Sequence, residues 1–419
     1  MTSFLRDLPG RFQRLTGSGS YQPEIDGLRF LAIGFVIFGH LMERMTRVIE
    51  AARPLQAADR FYIDLLPWSP TGVLLFFTIS GFILASHFIR QQRKGDEFRV
   101  GTYFLRRATR IVPPYLVVLL AGYLVLTLTE FRPSFIGSRQ VPESATLSLA
   151  ASLVYLHGLI FAALPRNFPP GWSLEIEVQF YVFAPLFFIL YFRIRDDLLR
   201  RSLGGLVLLA CIGMATLGQL LFGESPRYYF SLTKYMPYFW AGVWLADLHA
   251  LSAFGHRAWR AGWDILGLAG LLGLVITGIA HHHVVSSGSF ALLDALRVGA
   301  ILLLFGGAVR GGRFKAFCSI GWVSFLGGAS YSLYLCHMHV MQLVAMGIAR
   351  VLAPASIPAA YAWGLLLAVP AVLVAGLVFY LVIERPCMNP AWPRQLRQAV
   401  EQRLGRRPAI GFAAGGKAK

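Results

Sequence analysis

The stretch EIDGLRFLAIGFVIFGHLMERM, residues 24–45, opens the first long apolar run of the chain and decides how the rest is read. An arginine, Arg29, stands at the mouth of the run and a histidine, His40, lies eleven residues further on. On an α-helix, eleven steps of about 1.5 Å cover roughly 16 Å, half the hydrocarbon thickness of a bilayer. An ionisable group at that depth is costly and is usually kept for a task, so His40 is a candidate functional residue. The other reading is a core histidine hydrogen-bonded to a neighbouring helix. This segment alone leaves both open.

Composition sets the class. The chain has 419 residues, of which 56% are hydrophobic and only 14% charged; soluble domains are nearer 25% charged. An all-α, polytopic membrane protein is expected. The net charge of +18 would suggest nucleic acid in a soluble protein. In a membrane protein it has a simpler source, because Lys and Arg collect in cytoplasmic loops. Cys211, Cys318, Cys336 and Cys387 show no paired spacing and read as free thiols. Residues 1–26 are polar and basic, without the apolar run of a cleavable signal peptide.

Apolar segments long enough to span, or nearly so, occur near 27–45, 71–90, 112–129, 173–192, 203–222, 235–249, 263–281, 290–309, 329–349 and 361–383. An eleventh, 148–164, is short and closed by Pro165. If it does not cross and the amino terminus is cytoplasmic, the inside segments carry 27 of the 39 Lys and Arg and the outside segments 9. If it did cross, the basic run RIRDDLLRR at 193–201 would face outward. The expectation is therefore ten spans with both termini inside, and 148–164 re-entrant or lying on the outer side. Residues 1–26 form a cytoplasmic segment, 27–385 the membrane domain and 386–419 a basic cytoplasmic tail near anionic lipid. No internal repeat is visible, which weakens a transporter reading.

Four further motifs carry chemistry. In FFTISGF (76–82), Ser80 and Gly81 allow close approach by another helix or by a ligand. In FLRRATRIVPPY (104–115), Arg107 and Arg110 project from one helical face, with Pro113–Pro114 interrupting the helix start. Two guanidinium forks suit phosphates, whereas ordinary positive-inside anchoring would use the same residues. GWSLEIEVQFYVFAPL (171–186) brings Glu175 and Glu177 into the opening of a span, with Tyr181 on the Glu177 face. Carboxylates there suggest a proton acceptor or a group orienting an imidazole; an interfacial cap is the alternative for Glu175. In SYSLYLCHMHV (330–340), His337 and His339 point about 200° apart and cannot chelate one ion. Ser330, Tyr334 and His337 share a face that could line a polar cavity. His281–His283 read as solvated loop, and no metal is expected.

The ordered set DGLR…H, LFFTISGF, RR..RI.PPY, WSLEIEVQFY, SYSLYLCH and a final ERP (Glu384–Pro386) resembles the acyltransferase-3 family of integral membrane acyltransferases, from about residue 24 to 387. The resemblance implies O-acylation of extracytoplasmic carbohydrate, most commonly with acetyl, in the bacterial inner membrane; a few members acylate macrolides. It places the family's arginine–histidine element on Arg29 and His40, its arginine pair on Arg107 and Arg110, and its glutamate–aromatic element on Glu177, Phe180 and Tyr181. Cys336 and His339 stand where the family has tryptophan and proline, which bears on the shape of the acceptor pocket. Larger relatives append a periplasmic esterase-like domain; this sequence ends without one, so either direct transfer or a separate periplasmic acyl-accepting partner is expected.

These readings imply acyl-CoA, most simply acetyl-CoA, as donor, a glycan or glycolipid as acceptor, membrane lipid as surroundings, and no nucleic acid. Arg107 and Arg110 would bind the nucleotide phosphates, with Arg29 nearer the thioester. His40 would act as general base, with Glu177 orienting it. Asp26, Ser80, Tyr181, Tyr334 and His337 complete the substrate-binding set. A covalent relay through His40, Ser80 or Tyr334 is the rival within the class. A transporter or flippase with a His40–Glu177 proton relay is the rival outside it.

Overall fold

A computed structural model describes residues 21–129, 144–223, 225–250, 260–284, 286–389 and 392, and among these all regular structure is helical. Ten long helices follow one another: α1 (Pro23–Ala52), α2 (Thr71–Arg93), α3 (Val100–Leu128), α4 (Gly171–Phe192), α5 (Asp197–Phe222), α6 (Leu232–Ala250), α7 (Arg260–Ala280), α8 (Ser287–Arg310), α9 (Ser330–Gly347) and α10 (Ile357–Cys387). The last is an α-helix containing two π-helical stretches, Gly364–Ala368 and Tyr380–Glu384. The polar amino-terminal residues up to 20 and most of the expected basic tail lie outside the described residues.

Nine of these elements are long and apolar enough to cross a bilayer, which makes the chain a multi-pass membrane protein. The remaining one, α6, covers the expected span 235–249 but is more polar, with Lys234, Asp247 and His249 in its sequence. Its position explains why. It packs between α2 and α5 and is buried without a break from Tyr235 to Val243. With protein on most sides, it needs little lipid-facing apolar surface. A Cβ on Gly81 would meet the Phe239 carbonyl oxygen at 2.1 Å, and one on Gly242 the Thr78 carbonyl oxygen at 2.0 Å. Gly81 therefore serves helix packing, with α6 as the approaching helix. Asp247 is satisfied by Arg200 (2.7 and 2.9 Å) and by the Tyr191 hydroxyl (3.0 Å).

The short apolar segment at 148–164 is broken into helices Ala145–Leu153 and His157–Phe161, with positive φ at Tyr155 and Ala162. Nine residues rise about 14 Å, less than half the hydrocarbon core of about 30 Å, so it does not span. Glu175 anchors it by accepting the Gly158 N–H at 2.9 Å. That is a capping role.

One local expectation fails. Pro113–Pro114 do not interrupt the start of α3; the helix begins at Val100 and runs through them. Pro113 cannot donate to the Thr109 carbonyl four residues back, and the Trp392 indole N–H donates to that oxygen instead, at 3.2 Å. A second donor on the same turn is the Tyr331 hydroxyl, which reaches the Ile111 carbonyl at 2.8 Å. The four cysteines are free, three buried and Cys336 half-buried. His281 is also not loop: it stacks on Trp68 at 4.0 Å and contacts the buried Arg297 at 3.2 Å, while His282 and His283 are exposed.

Candidate active site

Two cavities open along α1. Eleven residues at 100° each bring Arg29 and His40 back to within about 20° of the same helical face, so one face of α1 serves both. Arg29 lines the first cavity, of about 860 Å³, together with Arg107, Arg110, Glu177, Tyr181 and Ser80. His40 lines the second, of about 520 Å³, with Glu43, Arg44, Trp172, Pro170 and Met338.

The first cavity is held by paired charges. Arg29 lies 3.6 Å from Asp26, one turn earlier on α1, and also faces Glu177, Glu384 and Arg110. Arg110 approaches the fully buried Glu384 at 3.8 Å, and Glu384 accepts the Ser332 N–H and hydroxyl at 3.1 and 2.6 Å. Arg107 sits over the ring of Tyr181, 5.9 Å from its centroid, a favourable arrangement for a cation. The Tyr181 hydroxyl donates to Glu177 and accepts from Ser80 at 3.3 Å. The α2 wall is apolar, with Val73, Phe76, Phe77 and Ile79, while Ser173, Ser330, Tyr331 and Tyr334 add hydroxyls on the other side. Such a cavity combines guanidinium donors and hydroxyls with an apolar wall.

The second cavity holds the imidazole. The Nδ1 of His40 is 3.3 Å from Glu43 Oε2; a carboxylate only accepts, so Nδ1 is the donor, and in the neutral ring Nε2 is the nitrogen that keeps its lone pair. Gly39 makes this arrangement possible. A Cβ there would meet Ser69 Cα at 2.7 Å, and that close approach lets Ser69 also hydrogen-bond to Glu43. The His40 side chain is 23% exposed and its ring stacks on that of His337, 5.4 Å away. His337 is fully buried; its Nδ1–H donates to the Tyr334 carbonyl at 2.5 Å, and its Nε2 has no hydrogen-bond partner. The Tyr334 hydroxyl in turn donates to the Pro170 carbonyl at 2.7 Å and contacts Ser173 at 2.8 Å, fixing α9 against the start of α4.

The structure thus brings Arg29, Ser80, Arg107, Arg110, Glu177, Tyr181 and Tyr334 around one cavity, with Asp26 behind Arg29. It brings His40 and His337 together beside the other. It does not bring Glu177 to His40: the carboxylate on the imidazole is Glu43. Sequence reasoning missed Glu43 although it lies three residues from His40, a spacing that puts both on one helical face. Glu384 was read only as part of a terminal motif and emerges as the carboxylate facing Arg110. His339 turns away from His337, as the spacing implies, and stacks on Phe168.

Comparisons with known proteins place the chain in a family. The acyltransferase domain family, Acyl_transf_3, matches residues 22–385. The peptidoglycan O-acetyltransferase OatA of Listeria monocytogenes is 23% identical over 345 residues, covering 78% of this chain and 50% of that protein. The O-acetyltransferase OatA of Staphylococcus aureus is 26% identical over 343 residues, covering 78% and 52%. The chain spans about half the length of these curated relatives. No solved structure matches it.

Proposed function

The chain belongs to this family of acyltransferases, and from that premise we propose that it moves an acetyl group from cytoplasmic acetyl-CoA to a hydroxyl of an extracytoplasmic glycan. The observation that carries the reading is His40: its Nδ1 contacts Glu43, which in the neutral ring leaves Nε2 as the acceptor, beside a cavity on the same face of α1 as the Arg29 cavity. The relatives, named as O-acetyltransferases, one of them acting on peptidoglycan, support the class of acceptor.

In this reading the chain sits in the bacterial inner membrane with residues 1–26, 90–111 and 386–419 cytoplasmic, following the excess of basic residues on that side. The acyl arm of the donor enters the cavity of Arg29, Arg107 and Arg110; the acceptor enters that of His40 and Trp172, whose flat ring suits the apolar face of a sugar. Nε2 of His40 takes the hydroxyl proton as the oxygen attacks the thioester carbonyl. The C–S bond breaks, and the departing thiolate takes the proton from the imidazolium, restoring the base. Glu43 stabilises the imidazolium in between. A positioned base of this kind contributes about 10²–10⁴-fold.

The test is transfer of labelled acetyl from acetyl-CoA by the purified protein in vesicles to glycan acceptors, read by mass spectrometry. Acetylated glycan that requires CoA is expected. Glycan movement across the vesicle without acetylation would favour the transporter, whose His40–Glu177 relay has no direct contact to support it.

A further inference from the structure

A third cavity, of about 1080 Å³, opens between the end of α2 and the start of α3 and is lined by His87, Phe98, Arg99, Tyr103, Arg106 and Arg107. It meets the acyl cavity at one wall. Arg107 lines both, and Tyr103 donates its hydroxyl to the Tyr181 carbonyl at 3.2 Å, while Tyr181 lines the inner cavity. The local sequence builds the outer cavity. Gly95, at φ +72°, reverses the chain after α2. The returning segment lays Phe98 against Phe88 at 4.9 Å and Tyr103 at 5.7 Å, leaving the Phe98 ring half-buried at the cavity.

Resting on the acyltransferase reading, we propose that this vestibule binds the 3′-phosphorylated adenosine diphosphate end of the donor, while the inner cavity takes only its pantetheine arm and acyl group. The division follows from charge and polarity. In the inner cavity Arg29 and Arg110 already face Asp26 and Glu384 and much of the wall is apolar, which suits a thin, neutral arm and not a nucleotide bearing several phosphate charges. In the vestibule Arg99 and Arg106 are exposed to the cavity. Arg106 Nη1 donates toward His87 Nε2 at 3.5 Å, which holds its guanidinium at the cavity wall, so that Arg99 and Arg106 are the phosphate donors there. Phe98 offers an apolar ring for a base to stack on. Asp96 and Glu97 also line the vestibule; they oppose phosphate but accept from ribose hydroxyls and the adenine amino group. Arg107, at the shared wall, meets the chain where nucleotide passes into arm.

The full-length protein in detergent, with acetyl-CoA, adenosine 3′,5′-bisphosphate and S-acetyl-pantetheine as probes, tests the division. The double variant Arg99→Ala/Arg106→Ala should bind acetyl-CoA about tenfold more weakly than the parent, equivalent to about 1.4 kcal/mol. It should lose competition by adenosine 3′,5′-bisphosphate and bind S-acetyl-pantetheine as the parent does. Lys94→Ala, a neighbouring cation outside the lining, should leave all three affinities in place. Equal acetyl-CoA affinity in parent and double variant would overturn the vestibule and reduce its arginines to topology anchors. An equal loss toward S-acetyl-pantetheine would also overturn it. A parent that binds no CoA at all would overturn both this assignment and the acyltransferase reading beneath it.

Discussion

The rings of His40 and His337 stack 5.4 Å apart, and each puts its Nδ1 on an oxygen, so that in the neutral rings Nε2 is the unprotonated nitrogen. His337 is buried against a neighbour whose side chain is 23% exposed and lines the cavity shared with Trp172. His40→Ala and the near-isosteric His40→Gln should therefore both lower glycan acetylation at least 10²-fold, with protein abundance unchanged. A histidine that only bridges helices predicts otherwise, because glutamine can donate to Glu43. Mass spectrometry of the glycan separates the two, and near-parental acetylation in His40→Gln would remove the general base.

Glu43 and Glu177 should respond differently to the same change. Glu43→Gln keeps a hydrogen-bonding oxygen beside His40 but loses the charge that stabilises the imidazolium. The difference between a charged and a neutral hydrogen bond is about 1 kcal/mol. Solvent reaches 44% of the Glu43 side chain, so a fall in kcat of only a few-fold is expected. Glu177→Gln disturbs Tyr181 in the donor cavity and should raise the KM for acetyl-CoA with kcat little changed. Steady-state kinetics with the donor varied reads the split; a kcat effect confined to Glu177→Gln would return the orienting role to that residue.

Much of this was legible in the sequence because membrane insertion writes itself in long apolar runs. All ten expected spans appear as helices, and the residues that gather around the Arg29 cavity (Arg29, Ser80, Arg107, Arg110, Glu177, Tyr181, Tyr334) were all named from their motifs. What failed was pairing. Which carboxylate meets His40 depends on how α1 and α4 are set side by side, and helical periodicity reports only the face within one helix. Glu43 was available from i, i+3 spacing, but Glu177 in a polar motif drew the assignment. The prolines of α3 misled for a related reason: the carbonyl that Pro113 leaves free is satisfied by Trp392, hundreds of positions away in sequence.

The α2–α6 contact should be intolerant of a single methyl. Gly81→Ala places a Cβ 2.1 Å from the Phe239 carbonyl oxygen, and backbone packed against backbone has no side chain to swing aside. Overpacking of this kind costs about 1–3 kcal/mol or more. A lowered unfolding temperature in detergent is expected, along with weaker activity, because Ser80 next to it holds Tyr181. Gly34→Ala, where nothing lies within 4 Å of the added Cβ, should be silent. Equal melting temperatures for the two variants would show that α2 and α6 do not approach this closely.

The orientation of the chain can be read with two engineered cysteines. Thr146 is exposed on the short helix Ala145–Leu153, and Leu198, near the start of α5, is 76% exposed. The native thiols give little background, since three of the four are buried. If the basic segments face the cytoplasm and the 145–161 region stays on the outer side, a membrane-impermeant maleimide added to intact cells should label Thr146→Cys. It should spare Leu198→Cys until the membrane is permeabilised. The broken helices at 145–161 favour this outcome, because neither is long enough to carry the chain across and invert everything after it. Gln92 at the end of α2 donates to the Phe192 carbonyl at the end of α4, which sets the start of α5 on the Arg106–Arg110 side, so labelling of Leu198→Cys from outside would put that side outside and overturn its assignment as the donor side.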